Sequence, residues 1–255
     1  MVGSAGGTAS LISYPALLAV GIAPLAANVT NAVAFVASWP GSALGSRPEL
    51  RGQARWLRRW APLAAAGGAA GAALLLLTPA GVFDRVVPFL VAFAALALLL
   101  QPKVSAWLES HPTKSSRLLL PCGLFAASVY NGYWGAGAGV MILALLMLTV
   151  DQQLARSNAL KNMILGVADV VCAIGFVLFG PVHWKAAVPM ALGFLVGSTA
   201  GPALTRRVPG NILRVVVALA GLGLAVHLWL ASEDGQLSAG GRLTAGAPAD
   251  RGATG

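Results

Sequence analysis

Gly135-Ala136-Gly137-Ala138-Gly139, an apolar run from Val140 to Val150, then Ser157-Asn158-Ala159-Leu160-Lys161-Asn162: this order of glycines, hydrocarbon and carboxamides occurs twice. The earlier copy runs Gly6-Gly7-Thr8-Ala9-Ser10, Leu11 to Gly21, then Ala27-Asn28-Val29-Thr30-Asn31. One ungapped offset of 131 residues pairs Gly6 with Gly137, Asn31 with Asn162, Val36 with Val167 and Ala37 with Ala168. Such a pair predicts a duplicated membrane unit with a glycine-loosened polar segment in each copy. Gly-interrupted hydrophobic segments at matching places in two halves point to a transporter's binding site.

Composition sets the solvent. Of 255 residues, 57% are hydrophobic and 10% charged, against about 25% charged in soluble domains. The apolar residues form runs rather than stripes, which predicts a bilayer environment. Run lengths and breakers place spans at about 5–21, 25–45, 60–78, 83–101, 154–179, 185–204 and 211–231. The run 117–150 is too long for one simple crossing and is interrupted at Tyr130-Asn131-Gly132 and at the Gly135/Gly137/Gly139 cluster. Counted as one span, it gives the expected fold: an all-α integral membrane protein with about eight transmembrane helices in two four-helix repeats. The first repeat covers 1–101, a polar cytoplasmic link 102–116, the second repeat 117–231, and a Gly/Ala/Ser-rich disordered tail 232–255. The first helix is weak, with Gly6, Gly7, Ser10, Ser13 and Pro15 in it. It reads either as shortened at its start or as broken.

The net charge is +9, from 17 Lys and Arg against 8 Asp and Glu. Most of the basic residues lie in short links, including Arg47, Arg51, Arg55, Arg58, Arg59, Lys103, Lys114 and Arg117. That placement is explained by topology and anionic lipid, so no nucleic acid is expected as a partner. Counting crossings places these even-numbered links and both termini in the cytoplasm; Arg206-Arg207 opposes that count. Cys122 and Cys172 sit in apolar runs without metal or haem spacing, so no metal and no cofactor is expected.

Lys161 and Asp169 are the only charges deep in an apolar run. Each costs about 2.5–3.5 kcal/mol at the bilayer centre and so faces the bundle interior or water. Their spacing makes a direct ion pair unfavourable: eight residues are about 12 Å along a helix. Lys161 reads as an anion attractor or as a snorkelling end residue. Asp169 reads as a proton-coupling group or as an interhelical hydrogen-bond partner. Asn28 and Asn31, and likewise Asn158 and Asn162, share a helix face three or four residues apart. Their amides suit an oxyanion, or else hydrogen bonds between helices. The candidate substrate site is therefore Gly6, Gly7, Asn28, Thr30, Asn31, Gly135, Gly137, Asn158, Lys161 and Asn162. Gly67-x-x-x-Gly71 and Gly193-x-x-x-Gly197 at matching places read as helix-packing faces, and a homo-oligomer stands among the expected partners.

Several of these residues carry a family resemblance. Gly6–Pro15, Ala27–Val33, the link Arg47–Leu50 and Thr78-Pro79-x-Gly81-Val82-Phe83 resemble the first repeat of the TauE/SafE sulfite-exporter-like proteins. Gly135-Ala136-Gly137, Asn158–Asn162, Val182-His183-Trp184 and Gly193-x-x-x-Gly197 resemble its second repeat. The resemblance covers roughly 5–230 and implies movement of small anions such as sulfite or sulfonates. The family usually has more of its first helix ahead of the glycines. The leading expectation is a secondary transporter that exports a small anion across a bacterial inner membrane. No nucleotide-binding loop, nucleophile–base set or catalytic residue is found, so an enzyme is not expected. The rival is a non-transporting membrane scaffold or assembly factor.

Overall fold

The computed structural model describes residues 6–110, 118–150, 153–204, 218–219 and 222–223. Its elements in order are α1 (Gly6–Ala19), α2 (Pro24–Phe35), a 3₁₀ turn (Val36–Ser38), α3 (Trp39–Gly45), α4 (Ala54–Leu77), α5 (Ala80–Ser110), α6 (Leu119–Tyr133), α7 (Ala138–Thr149), α8 (Leu154–Phe179) and α9 (Trp184–Leu204). Taking α2, the 3₁₀ turn and α3 as one bent rod gives eight helical rods. No strand occurs among the described residues. The eighth expected span, 211–231, and the tail lie almost wholly outside the described residues.

Breakers set the ends. Pro24 opens α2 at a position where its missing N–H is not needed. Pro79 precedes α5, and Gly180-Pro181 follows α8, where the residue before proline resists helical geometry. Two boundaries differ from expectation. α4 starts at Ala54, inside the expected basic link, because no Gly or Pro stands between Gly52 and Pro62, and Arg55, Arg58 and Arg59 stay exposed on it. α5 continues helical past Pro102 to Ser110, into the expected polar link.

Helix length divides the bundle into two kinds of element. α4, α5 and α8 have 24, 31 and 26 residues, about 36, 46 and 39 Å at 1.5 Å per residue. These three are long and apolar enough to cross a membrane. α1, α6 and α7 have 14, 15 and 12 residues, about 18–22 Å, which is short of a hydrocarbon layer about 30 Å thick.

The run 117–150 is a helical hairpin rather than one crossing, and this corrects the expected topology. A Cβ at Gly123 in α6 would meet the Leu145 side chain of α7, and the chain reverses between Tyr133 and Ala138 at two left-handed glycines, Gly135 (φ 81°) and Gly137 (φ 86°). A side chain at either would be strained. The reversal returns the end of α7 to the face where α6 began. α5 runs parallel to α7, Ala94 lying against Gly137 and Leu108 against Leu143 and Met147. Leu50, Trp56, Leu57 and Trp60 pack in one cluster with Leu120 and Val150, so the start of α4 shares that face. Arg156, which a single crossing over 117–150 would put on the opposite side, therefore joins Arg47, Arg51, Arg55, Arg58, Arg59 and Lys103. Among the described residues Arg85 and Lys185 lie toward the other end. α9 also runs toward the basic face, Phe194 lying beside Phe35 and Ser198 beside Gly41, and Arg206-Arg207 lie outside the described residues.

Backbone contact holds the long helices together. A Cβ at Gly71 of α4 would lie 2.9 Å from Gly132 Cα in α6, and one at Gly68 would lie 2.9 Å from the Ala168 carbonyl oxygen in α8. The Cys172 thiol donates to the Gly68 carbonyl at 3.2 Å. Helices in lipid gain stability from such close approach, since burying apolar surface gives them no advantage over acyl chains. Gly193 and Gly197 of α9 are exposed and have no neighbour at their Cβ positions.

Gly71→Leu is expected to overpack the α4–α6 seam and destabilise the fold by about 1–3 kcal/mol, while Gly193→Leu leaves it unchanged; thermal unfolding in detergent measures both, and equal shifts refute the seam. Single cysteines at Lys103, Thr149 and Arg156, on a background lacking Cys122 and Cys172, are expected to react with an impermeant thiol reagent from the same side of the membrane. Labelling of Thr149 from the side opposite to Lys103 refutes the hairpin.

Candidate site at the hairpin tip

α1, α2, α5 and the α6–α7 tip converge around a small cavity of about 10 Å³, lined by Ser10, Tyr14, Pro15, Asn28, Asn31, Val91, Trp134 and Ala136. That is room for about one water molecule. Pro15 lies inside α1 and supplies no N–H, so the helix ladder lacks one donor where it meets the cavity.

The cavity wall is polar without being charged. Asn28 donates to the Tyr133 carbonyl at 3.0 Å. Ser13 Oγ donates to Asn31 Oδ1 at 2.6 Å, which directs the remaining hydrogen-bonding capacity of Asn31 to its NH₂ group. Tyr14 and Trp134 meet edge to face, ring centroids 5.0 Å apart. The Tyr14 hydroxyl and the Trp134 indole N–H are both buried and both lack a hydrogen-bond partner. An unsatisfied buried polar group costs about 1–3 kcal/mol. Two such donors on one cavity are the arrangement expected of a site that is satisfied by a hydrogen-bond acceptor from outside the chain. Tyr130 donates to the Ala136 carbonyl at 2.8 Å and ties the tip back onto α6.

The residues singled out from sequence do not all come together. Asn28 and Asn31 line the cavity, and Gly135 and Gly137 flank Ala136, which also lines it. Gly6 and Gly7 occupy the first turn of α1, ahead of Ser10. Thr30 turns away and accepts the His183 backbone N–H at 3.0 Å, joining α2 to the start of α9. Lys161 is buried at 3% exposure, and its ammonium lies 3.8 Å from the position of a Cβ on Gly139, in the first turn of α7. It is not a lining residue of the cavity, and neither are Asn158 and Asn162. Asp169 accepts from Asn131 Nδ2 at 2.7 Å across the α6–α8 contact, a location apart from the cavity.

Sequence reasoning passed over Tyr14, Trp134 and Asn131. Tyr14 precedes the proline inside α1. Trp134 stands between Asn131-Gly132 and Gly135, where a helix break in hydrocarbon leaves polar groups to be satisfied. Both positions carry a polar aromatic at a breaker, which is a readable signal.

Comparison with known proteins identifies the family. The model of the family described as Sulfite exporter TauE/SafE matches residues 1–228. A Sinorhizobium protein named "Probable membrane transporter protein ORF9" is 27% identical over 231 residues, covering 89% of this chain and 87% of that one. A "Probable membrane transporter protein" of Haemophilus influenzae is 26% identical over 222 residues, 84% and 83% of the two chains. YfcA of Escherichia coli K12, also named a probable membrane transporter protein, is 24% identical over 234 residues, 89% and 84%. No solved structure matches. With the family model spanning almost all of the chain, this multi-pass membrane protein belongs to the sulfite exporter TauE/SafE family.

Proposed function

We propose that the chain is a secondary transporter exporting a small anion, such as sulfite or an organosulfonate, across a bacterial cytoplasmic membrane, and that the anion binds at the hairpin tip. The observation that carries this reading is the pair of unpaired donors, Tyr14 hydroxyl and Trp134 N–H, beside Asn28 and Asn31. None of the lining side chains carries a charge; the Asp84 carboxylate, near the start of α5, is the acidic group whose field reaches Tyr14. Neutral donors hold an anion firmly enough to select it and loosely enough to release it.

Electrostatics from behind the tip support the same sign of substrate. Lys161 lies beside the N-terminal turn of α7, where the helix dipole is already positive. Lys161 then raises the positive potential at the tip without being a cavity-lining residue. Asp169, held by Asn131, is the proton-coupling group in this reading. No nucleotide-binding loop is found in the sequence, so an ion gradient or the substrate gradient itself supplies the energy.

The arrangement of helices supports two repeats of opposite direction. α2 packs parallel to α9, Thr30 beside His183 and Phe35 beside Phe194. α8 packs parallel to α4, Ala168 beside Gly68 and Gly175 beside Ala72. The offset that pairs α2 with α8 and α1 with α7 also pairs α4 with α9, so the two contacts are images of each other. Antiparallel halves of this kind suit rocking around a fixed central site. The basic face is the cytoplasmic one by the positive-inside rule.

Proteoliposome flux with sulfite, an alkyl sulfonate and sulfate tests the proposal. Trp134→Phe keeps an aromatic side chain and removes the N–H. A hydrogen bond to a charged group is worth about 1.5–3 kcal/mol, so apparent affinity is expected to fall about ten- to a hundredfold. Asn31→Ala is expected to act similarly, and Asp169→Asn to abolish uptake driven by a pH gradient while leaving anion exchange. Unchanged affinity in both Trp134→Phe and Asn31→Ala removes the tip from the mechanism. Absence of flux with all three anions in the wild type overturns the substrate class.

A further inference from the structure

A second recess lies outside the hairpin, between the last turns of α5 and of α7. It is an open groove of about 540 Å³ walled by Val104, Trp107 and Leu108 on one side and Ala144 and Leu148 on the other, with Lys103 at its edge. Its depth in the membrane follows from the helices that form it. Ala94 of α5 packs against Gly137 at the hairpin tip. Lys103 and Trp107 lie about 14 and 20 Å farther along the same helix at 1.5 Å per residue. The tip lies about 18–22 Å inside the basic face, near the middle of the bilayer, and half of the hydrocarbon layer is about 15 Å. Lys103 therefore sits at the boundary between acyl chains and headgroups, and Trp107, 56% exposed, one turn farther into the headgroup layer. Tryptophan favours that layer.

We propose that this groove binds one anionic phospholipid of the surrounding leaflet, its acyl chain along Val104, Leu108, Ala144 and Leu148 and its phosphate on the Lys103 ammonium. Charge complementarity selects the occupant. The groove opens on the face that carries Arg47, Arg51, Arg55, Arg58, Arg59 and Arg156, and basic pockets between helices on that side take anionic headgroups. The apolar walls exclude a free soluble anion as the main occupant, because it would leave them in water. The site is distinct from the cavity at the tip and shares no residue with it.

The test uses the full chain in nanodiscs of phosphatidylcholine alone or phosphatidylcholine with phosphatidylglycerol. Thermal midpoint and co-purified lipid, read by native mass spectrometry, are measured in each. Wild type is expected to rise in midpoint with phosphatidylglycerol and to retain it several-fold over phosphatidylcholine. Lys103→Glu is expected to lose both effects while keeping its midpoint in phosphatidylcholine. Ala144→Phe, which fills the groove and leaves Lys103 in place, is expected to lose retention as well. An equal phosphatidylglycerol effect in wild type and Lys103→Glu overturns the proposal. So does retention by Ala144→Phe equal to wild type, or an equal midpoint rise with soluble glycerol 3-phosphate in phosphatidylcholine discs.

Discussion

The structure turns on how a helix can be broken inside hydrocarbon. Water is absent there, so every carbonyl and N–H released at the break must find a partner in the protein. The α6–α7 tip releases the carbonyls of Tyr133 and Ala136. Asn28 reaches across from α2 to donate to the first, and Tyr130 donates to the second. Remove either partner and an unpaired carbonyl is left at depth. The tip therefore fixes α2 against the hairpin, and α2 in turn fixes α1 through the Ser13–Asn31 bond. The cavity exists because these polar ties are made around it.

Glycine does the complementary work on the other side of the hairpin. Gly67, Gly68 and Gly71 let α4 approach both α6 and α8 to backbone contact, with Gly132 and Ala168 on the facing surfaces. That seam is close-packed, and the tip is not. Rigid packing on one flank and a sparsely filled polar cavity on the other give the hairpin one fixed face and one face beside a void. An arrangement of that kind can enlarge the cavity to admit a substrate without disturbing the seam. Gly193 and Gly197 repeat the α4 spacing on α9 but stand exposed, so a matching sequence pattern does not by itself produce a matching contact.

Much of this was readable from the residues. Charge-poor composition and run lengths gave the membrane solvent, and the spacing Gly135-x-Gly137 located the break, because only left-handed backbone turns that sharply. Asn28 and Asn31 were readable as costly polar groups. The direction of the chain after the break was not. An apolar run interrupted by glycine has the same composition whether the second half continues or folds back. Only contacts such as Gly123 with Leu145 distinguish the two. Thr30 and Lys161 show the other limit. They occupy equivalent positions under the 131-residue offset, yet Thr30 ties down the His183 backbone while Lys161 lies beside α7. Sequence periodicity fixes the face of a helix approximately but not what stands opposite it.

The fold-back also changes what the charges mean. With one crossing between Arg117 and Val150, Arg156 and Arg206-Arg207 would stand on the side poor in Lys and Arg, and the positive-inside rule would be in conflict with itself. With a hairpin Arg156 joins the basic face, and the rule accounts for the described links that carry most of the Lys and Arg. The same reversal sets the α5 terminus, α7 terminus and α8 start side by side, which is why a single basic face forms instead of two weak ones. Chain topology and charge distribution are thus two readings of one constraint, the depth at which Gly135 and Gly137 turn the backbone round.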